Sequence, residues 1–118
     1  MMPPVVRFLA RLMVAVSLHI PLATAGTPTL AECAEGSDFI ANAARARDNG
    51  LSRAMFLARM DDDFAVIRGF PAALRWFARD SDDERFLRES AERVFTEPKT
   101  PSAHGSDFLA RCLERAGA

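Results

Sequence analysis

From residue 29 onward, apolar side chains return every three or four positions, and no stretch keeps the strict alternation of a half-buried strand. The pattern predicts an all-α domain. Leu30, Cys33, Ser37, Ile40 and Ala44 define a first helix over residues 29–49, in which Gly36-Ser37 permits an interruption. Gly50, after Asn49, is placed to take the left-handed conformation that ends a helix. Ser52 offers an N-cap to a short second helix lined by Met55, Phe56 and Met60, with Asp61-Asp62-Asp63 as its stop.

The apolar stripe restarts at Phe64, Ile67 and Phe70 and meets Gly69-Phe70-Pro71, where proline predicts a kink or break. Leu74 and Phe77 continue it as far as Asp80. Ser81-Asp82-Asp83-Glu84 reads as a capping box: the serine oxygen would accept from the fourth amide while Glu84 reaches back. Phe86, Leu87, Ala91, Val94 and Phe95 then form a buried face that ends at Glu97-Pro98. Thr100-Pro101 opens a last helix, with proline at its first position, carrying Phe108, Cys112 and Leu113 inward. Short connections favour antiparallel neighbours, so the expected architecture is one compact bundle of four to five helices spanning residues 26–118.

The first 25 residues follow a different rule. Arg7 and Arg11 precede an apolar run from Leu12 to Leu22, and Ala23-Thr24-Ala25 closes it with small residues. That order is the tripartite pattern of a cleaved secretory signal, with Ala23 and Ala25 at the −3 and −1 positions of the cut. The run is shorter than the roughly 20 apolar residues of a membrane span and holds His19 and Pro21. Cys33 does not fit a lipoprotein signal, because Glu32 stands where a small residue is required. The expected destination is the periplasm of a Gram-negative bacterium, or the exterior, with no membrane attachment after cleavage.

Export alters what the two cysteines mean. In an oxidising compartment Cys33 and Cys112 read as one disulfide across nearly the whole domain. A reactive or metal-binding pair would call for Cys-x-x-Cys spacing or nearby histidines. Removal of residues 1–25 takes away two basic residues and no acidic ones, leaving a net charge of −3. A mildly acidic domain is poorly suited to nucleic acid, whose binding rests on phosphate neutralisation.

Chemistry is sparse. Asp61, Asp62 and Asp63 lack the rest of a calcium loop, and Asp80, Asp82, Asp83 and Glu84 fail one at Arg85 and Ala91, where glycine and glutamate are needed. Both acidic runs read as favourable charge at helix N-termini. His104, near Ser102, Ser106 and Asp107, reads as a solvated histidine, because neighbours on one helical turn seldom make a triad with an oxyanion site. Neither metal, cofactor nor catalytic group is expected. Arg45, Arg47, Arg53 and Arg59 have acidic neighbours and read as solvating charge. Trp76 lies off the centre of its stripe, so Arg75, Trp76 and Arg79 form a candidate partner-contact patch, with Trp76 equally suited to covering a core edge.

Ala44 to Gly50, Val94-Phe95-Thr96-Glu97-Pro98, Thr100-Pro101 and Phe108-Leu109-Ala110-Arg111-Cys112 together resemble a group of small exported helical proteins of Gram-negative bacteria. The closing tract from Phe108 to Leu113 is similar to the end of periplasmic immunity proteins that neutralise type VI amidase effectors. The resemblance implies a helical module that docks on a protein. The expected function is therefore a non-catalytic, exported protein-binding module of inhibitor or immunity type. The alternative is an acid- or stress-responsive envelope chaperone, in which protonation of the acidic runs leaves the arginines unbalanced and opens the bundle.

Overall fold

A computed structural model describes residues 27–117. The signal-peptide reading, with Ala23 and Ala25, lies outside the described residues. The described chain forms four α-helices and one short 3₁₀ turn, with no strand among the described residues. The helices are α1 (Leu30–Asp48), α2 (Arg53–Ile67), α3 (Ser81–Thr96) and α4 (Pro101–Arg115); the 3₁₀ turn covers Ala72–Leu74. The first and last helices make the most extensive contact, and α3 packs on both α1 and α2.

Local chemistry explains most of the boundaries. Thr29 caps α1 in a full capping box: Glu32 N donates to Thr29 Oγ1 (3.1 Å) and Thr29 N donates to Glu32 Oε1 (3.0 Å). At the other end Gly50 takes φ 96°, and the amides of Gly50 and Leu51 donate back to the carbonyls of Arg47 and Ala46. Ser52 and Thr100 accept from Met55 N and Ala103 N, the N-caps expected of them.

Four expectations are corrected. Gly36-Ser37 does not interrupt α1; Gly36 is buried where a Cβ would stand 2.4 Å from the Phe108 ring, so the glycine serves close helix packing. Asp61-Asp62-Asp63 does not stop α2, which runs on to Ile67, because carboxylates on an exposed helical face cost little and Leu57, Met60 and Phe64 bury the opposite side. The first acidic run is therefore mid-helix and not at an N-terminus. Past Pro71 the stripe does not resume as a helix: only the 3₁₀ turn follows, and Leu74 is exposed. The α3 cap sits one residue earlier than read, with Asp80 Oδ1 accepting from Asp83 N (2.8 Å) while Ser81 is the first helical residue.

The core is built from Cys33, Ile40, Ala43 and Ala44 of α1, Leu57, Met60 and Phe64 of α2, Leu87, Ala91 and Val94 of α3, and Phe108 and Cys112 of α4, with Phe77 and Ala78 from the crossover. Phe77, Phe86 and Phe108 form a stacked and tilted ring cluster. Phe39, Phe56 and Phe95 form a second ring group, joined to the first through Trp76. The Cys33–Cys112 disulfide, with Cα atoms 5.5 Å apart, joins α1 to α4, and both cysteines are fully buried. By loop-closure entropy a bridge over 79 positions stabilises the fold by about 4–5 kcal/mol. That is a large share of what so small a domain gains from burial.

Candidate functional site

The crossover between α2 and α3, residues 68–80, is where the chain departs furthest from regular structure. Its geometry begins with Arg75. The guanidinium donates from Nε to Phe70 O (2.7 Å), from Nη2 to Arg68 O (3.1 Å) and from Nη1 to Arg79 O (3.3 Å). Arg68 and Phe70 stand at the C-terminal end of α2, so this cation meets the negative end of the helix and ties the crossover back on itself.

Trp76 follows with φ 51°, a left-handed backbone conformation that costs a bulky residue on the order of 1–2 kcal/mol. What holds it there is visible in its partners. The indole Nε1 donates to Glu35 Oε2 of α1 at 2.5 Å. The ring meets Phe39 edge-on with centroids 6.3 Å apart and lies against Phe77 at 5.9 Å. Arg79 closes the segment: its Nη2 donates to Glu32 Oε1 (2.6 Å), the carboxylate that also completes the α1 capping box.

The structure thus brings Arg75, Trp76 and Arg79 together in one segment, each engaged with the protein's own α1 or crossover. The side chains directed outward are their neighbours: Phe70 is 48% exposed, Leu74 69% and Val66 64%. Residues 68–74 are all exposed. By spacing, Phe70 and Leu74 continue the apolar stripe that restarts at Phe64, yet both are exposed. The signal against that reading was Gly69 before Pro71, which ends the helix and lets both side chains turn away.

The acidic residues are dispersed. Asp61 pairs with Arg88 of α3, while Asp62 and Asp63 are exposed on α2. Asp80 is the α3 cap, and Asp82 pairs with Arg85 one turn on (3.3 Å). Glu84 receives Arg68 Nε at 3.1 Å, joining the crossover to α3. Asp83 is buried, accepting from Arg79 N (3.2 Å) and Arg115 Nη2 (2.9 Å). Burial pushes its carboxyl above the usual carboxylate range, a rise opposed by the Arg79 amide, reinforced by nearby Asp80 and opposed again by Arg115. Arg115 also lies over the Phe86 ring at 4.5 Å. Among the described residues no three histidine, cysteine, aspartate or glutamate side chains converge as metal ligands would.

Two residues read as solvated carry structure. His104 is 4% exposed, with Nε2 2.9 Å from Glu97 O and 3.3 Å from Arg47 Nη1. The solvated reading fails because α4 turns this side chain toward the carbonyl-rich α3–α4 connection. Arg47 is the hub of that connection, donating to Val94 O (2.7 Å), Glu97 O (3.3 Å) and Lys99 O (2.8 Å) and pairing with Asp48 (2.9 Å). Arg53 pairs with Glu92 of α3, Arg45 with Asn42, and Arg59 stays exposed. Nothing in the sequence distinguished Arg47 from these three, since the carbonyls it serves belong to the end of α3 and the α3–α4 connection, 47 to 52 positions away.

The crossover is thus a braced, irregular segment presenting apolar side chains to solvent. Comparison of the chain with protein-family models, curated proteins and solved structures finds no match.

Proposed function

We propose that the chain is an exported, non-catalytic protein-binding module of inhibitor or immunity type, which docks through the 68–80 crossover. The observation that carries this reading is the solvent exposure of Phe70 and Leu74 on a segment pinned by Arg75, Trp76 and Arg79. Apolar side chains held rigid in solvent lose little entropy on binding and so favour a partner. The disulfide between the first and last helices supports the same reading, since it suits an oxidising compartment and keeps the scaffold closed.

The patch differs from the one read in the sequence. Trp76 positions the docking residues and the contact itself belongs to Phe70 and Leu74. Capture from envelope extract with oxidised residues 26–118 as bait tests it. One dominant protein is expected, lost with Phe70→Ala/Leu74→Ala, each truncation weakening the complex by about 1–2 kcal/mol. Undiminished capture by the double variant overturns the assignment.

The acid-responsive chaperone remains the second reading because inter-element ion pairs depend on carboxylates: Asp61–Arg88, Glu84–Arg68, Glu92–Arg53 and Glu32–Arg79. Its mark would be broad capture of unfolded clients that strengthens at low pH.

A further inference from the structure

Asp83 and Phe86 stand three positions apart near the start of α3 and share one helical face. Arg115, in the last turn of α4, spans both: its Nη2 donates to Asp83 Oδ1 (2.9 Å), and its guanidinium lies over the Phe86 ring, 4.5 Å from the centroid. The other carboxylate oxygen, Oδ2, accepts from the Arg79 amide (3.2 Å). The Asp83 side chain is 2% exposed and that of Arg115 31%, so the buried partner is the anchor and the half-exposed partner is the one free to leave. Both Arg115 and Phe86 line a cleft of about 440 Å³ whose walls include Asp80, Asp82, Arg85 and Glu89. We propose that Asp83 and Arg115 form an acid-opened latch: a proton taken up on Asp83 Oδ1 frees the guanidinium, which swings into the cleft and leaves the face of Phe86 open to solvent.

The groups facing Asp83 set the direction. From its own helix Asp80 favours the protonated form, while the Arg79 amide of the crossover and Arg115 of α4 favour the carboxylate. The Arg79 guanidinium is turned to Glu32 of α1 (2.6 Å), Glu84 is taken by Arg68, and Asp82 pairs with Arg85 (3.3 Å). Burial outweighs these neighbours and holds the Asp83 carboxyl above the usual carboxylate range, so it takes its proton at a higher pH than an ordinary carboxylate. A neutral carboxyl still offers an oxygen to Arg115 but lacks the charge that strengthens such a bond. What remains is the contact with Phe86, a weak hold on a guanidinium that already reaches water. Glu89, on the cleft wall, has no ion-pair partner among the described residues and stands ready to receive it. The latch uses neither Phe70 nor Leu74, so it stands whether or not the crossover docks a partner.

The test follows the oxidised protein by NMR from about pH 7 to about pH 3, with an uncharged nitroxide in the solvent to broaden whatever ring protons it reaches. The Asp83 carboxyl carbon and Arg115 Nε are expected to titrate with one midpoint, above 3.8, while the fold stays intact. Across that midpoint the broadening of the Phe86 ring protons should rise roughly threefold or more. Asp83→Asn, close in shape and without the charge, should show the acid-state signals of Arg115 and Phe86 at neutral pH. Arg115→Gln, at a half-exposed side chain, should leave Phe86 open at every pH and raise the Asp83 midpoint, because the guanidinium favours the carboxylate; it carries the test where Asp83→Asn does not fold. Phe86 broadening that stays level through the Asp83 midpoint, an Arg115 signal that ignores it, or a folded variant that keeps Phe86 covered overturns the proposal. So does unfolding of the whole domain at that midpoint, since a latch requires the bundle to outlast its release.

Discussion

Gly36 and Asp83 show how single positions fix the fold. A Cβ at Gly36 would stand 2.4 Å and 2.7 Å from Phe108 ring carbons, and that ring is itself packed against both Phe77 and Phe86. Gly36→Ala should therefore destabilise the domain by about 1–3 kcal/mol, although alanine is the better helix former. Chemical denaturation gives the value, and Phe108→Leu in the same chain should recover part of the loss. Asp83 carries the opposite kind of constraint, a buried carboxylate held by Arg79 and Arg115. Because burial raises its folded-state value above the ordinary 3.8, the folded protein holds that proton more tightly than the unfolded chain. Its contribution to stability is then full below 3.8 and declines as pH rises through the raised folded value. Asp83→Asn removes this term. The stability of the wild type relative to the variant should fall across that window and flatten above it, measured by urea unfolding at successive pH values; a relative stability that climbs instead contradicts the burial argument.

At the scale of elements, the helices were legible wherever the chain itself carries the cap. Thr29-x-x-Glu32, Asn49-Gly50-Leu51, Ser52 and Thr100-Pro101 set boundaries by bonds within a few residues, and those boundaries stand where local chemistry puts them. The true capping box at Thr29 was readable by the same rule that was applied to Ser81. Asp80 outcompeted that serine because a carboxylate one position earlier makes the same bond. The candidate site was legible only in outline: Arg75, Trp76 and Arg79 do cluster, but which side chains point outward depends on where Glu32 and Glu35 of α1 stand, some 40 positions away. Arg47 illustrates the same limit, since its three carbonyl partners lie on α3 and the α3–α4 connection. Arg47→Ala leaves the end of α3 without these donors and should cost about 2–4 kcal/mol. Arg47→Lys should recover little, because an ammonium cannot fan donors to three separated carbonyls. Faster amide exchange confined to residues 94–104 would mark the loss; unchanged exchange there would show that the hub is dispensable.

For the whole molecule, the disulfide and the crossover divide the work. Cys33–Cys112 locks the pair of helices with the largest contact, and the loose end of the architecture is the passage from α2 to α3. That passage is nevertheless tied at Glu32, Glu35 and Glu84, so it is preformed for the docking proposed above. A conformation as costly as the left-handed Trp76 persists only where its surroundings over-determine it. Under the proposed docking function, recognition is expected to be local, falling on Phe70 and Leu74, with the bundle serving as a rigid mount. Photo-crosslinking from these positions in envelope extract tests this most directly, with exposed Ser102 on α4 as the comparison site. One discrete crosslinked species from positions 70 and 74, absent from 102, is the predicted result; equal labelling from all three, or none from the crossover, would contradict it.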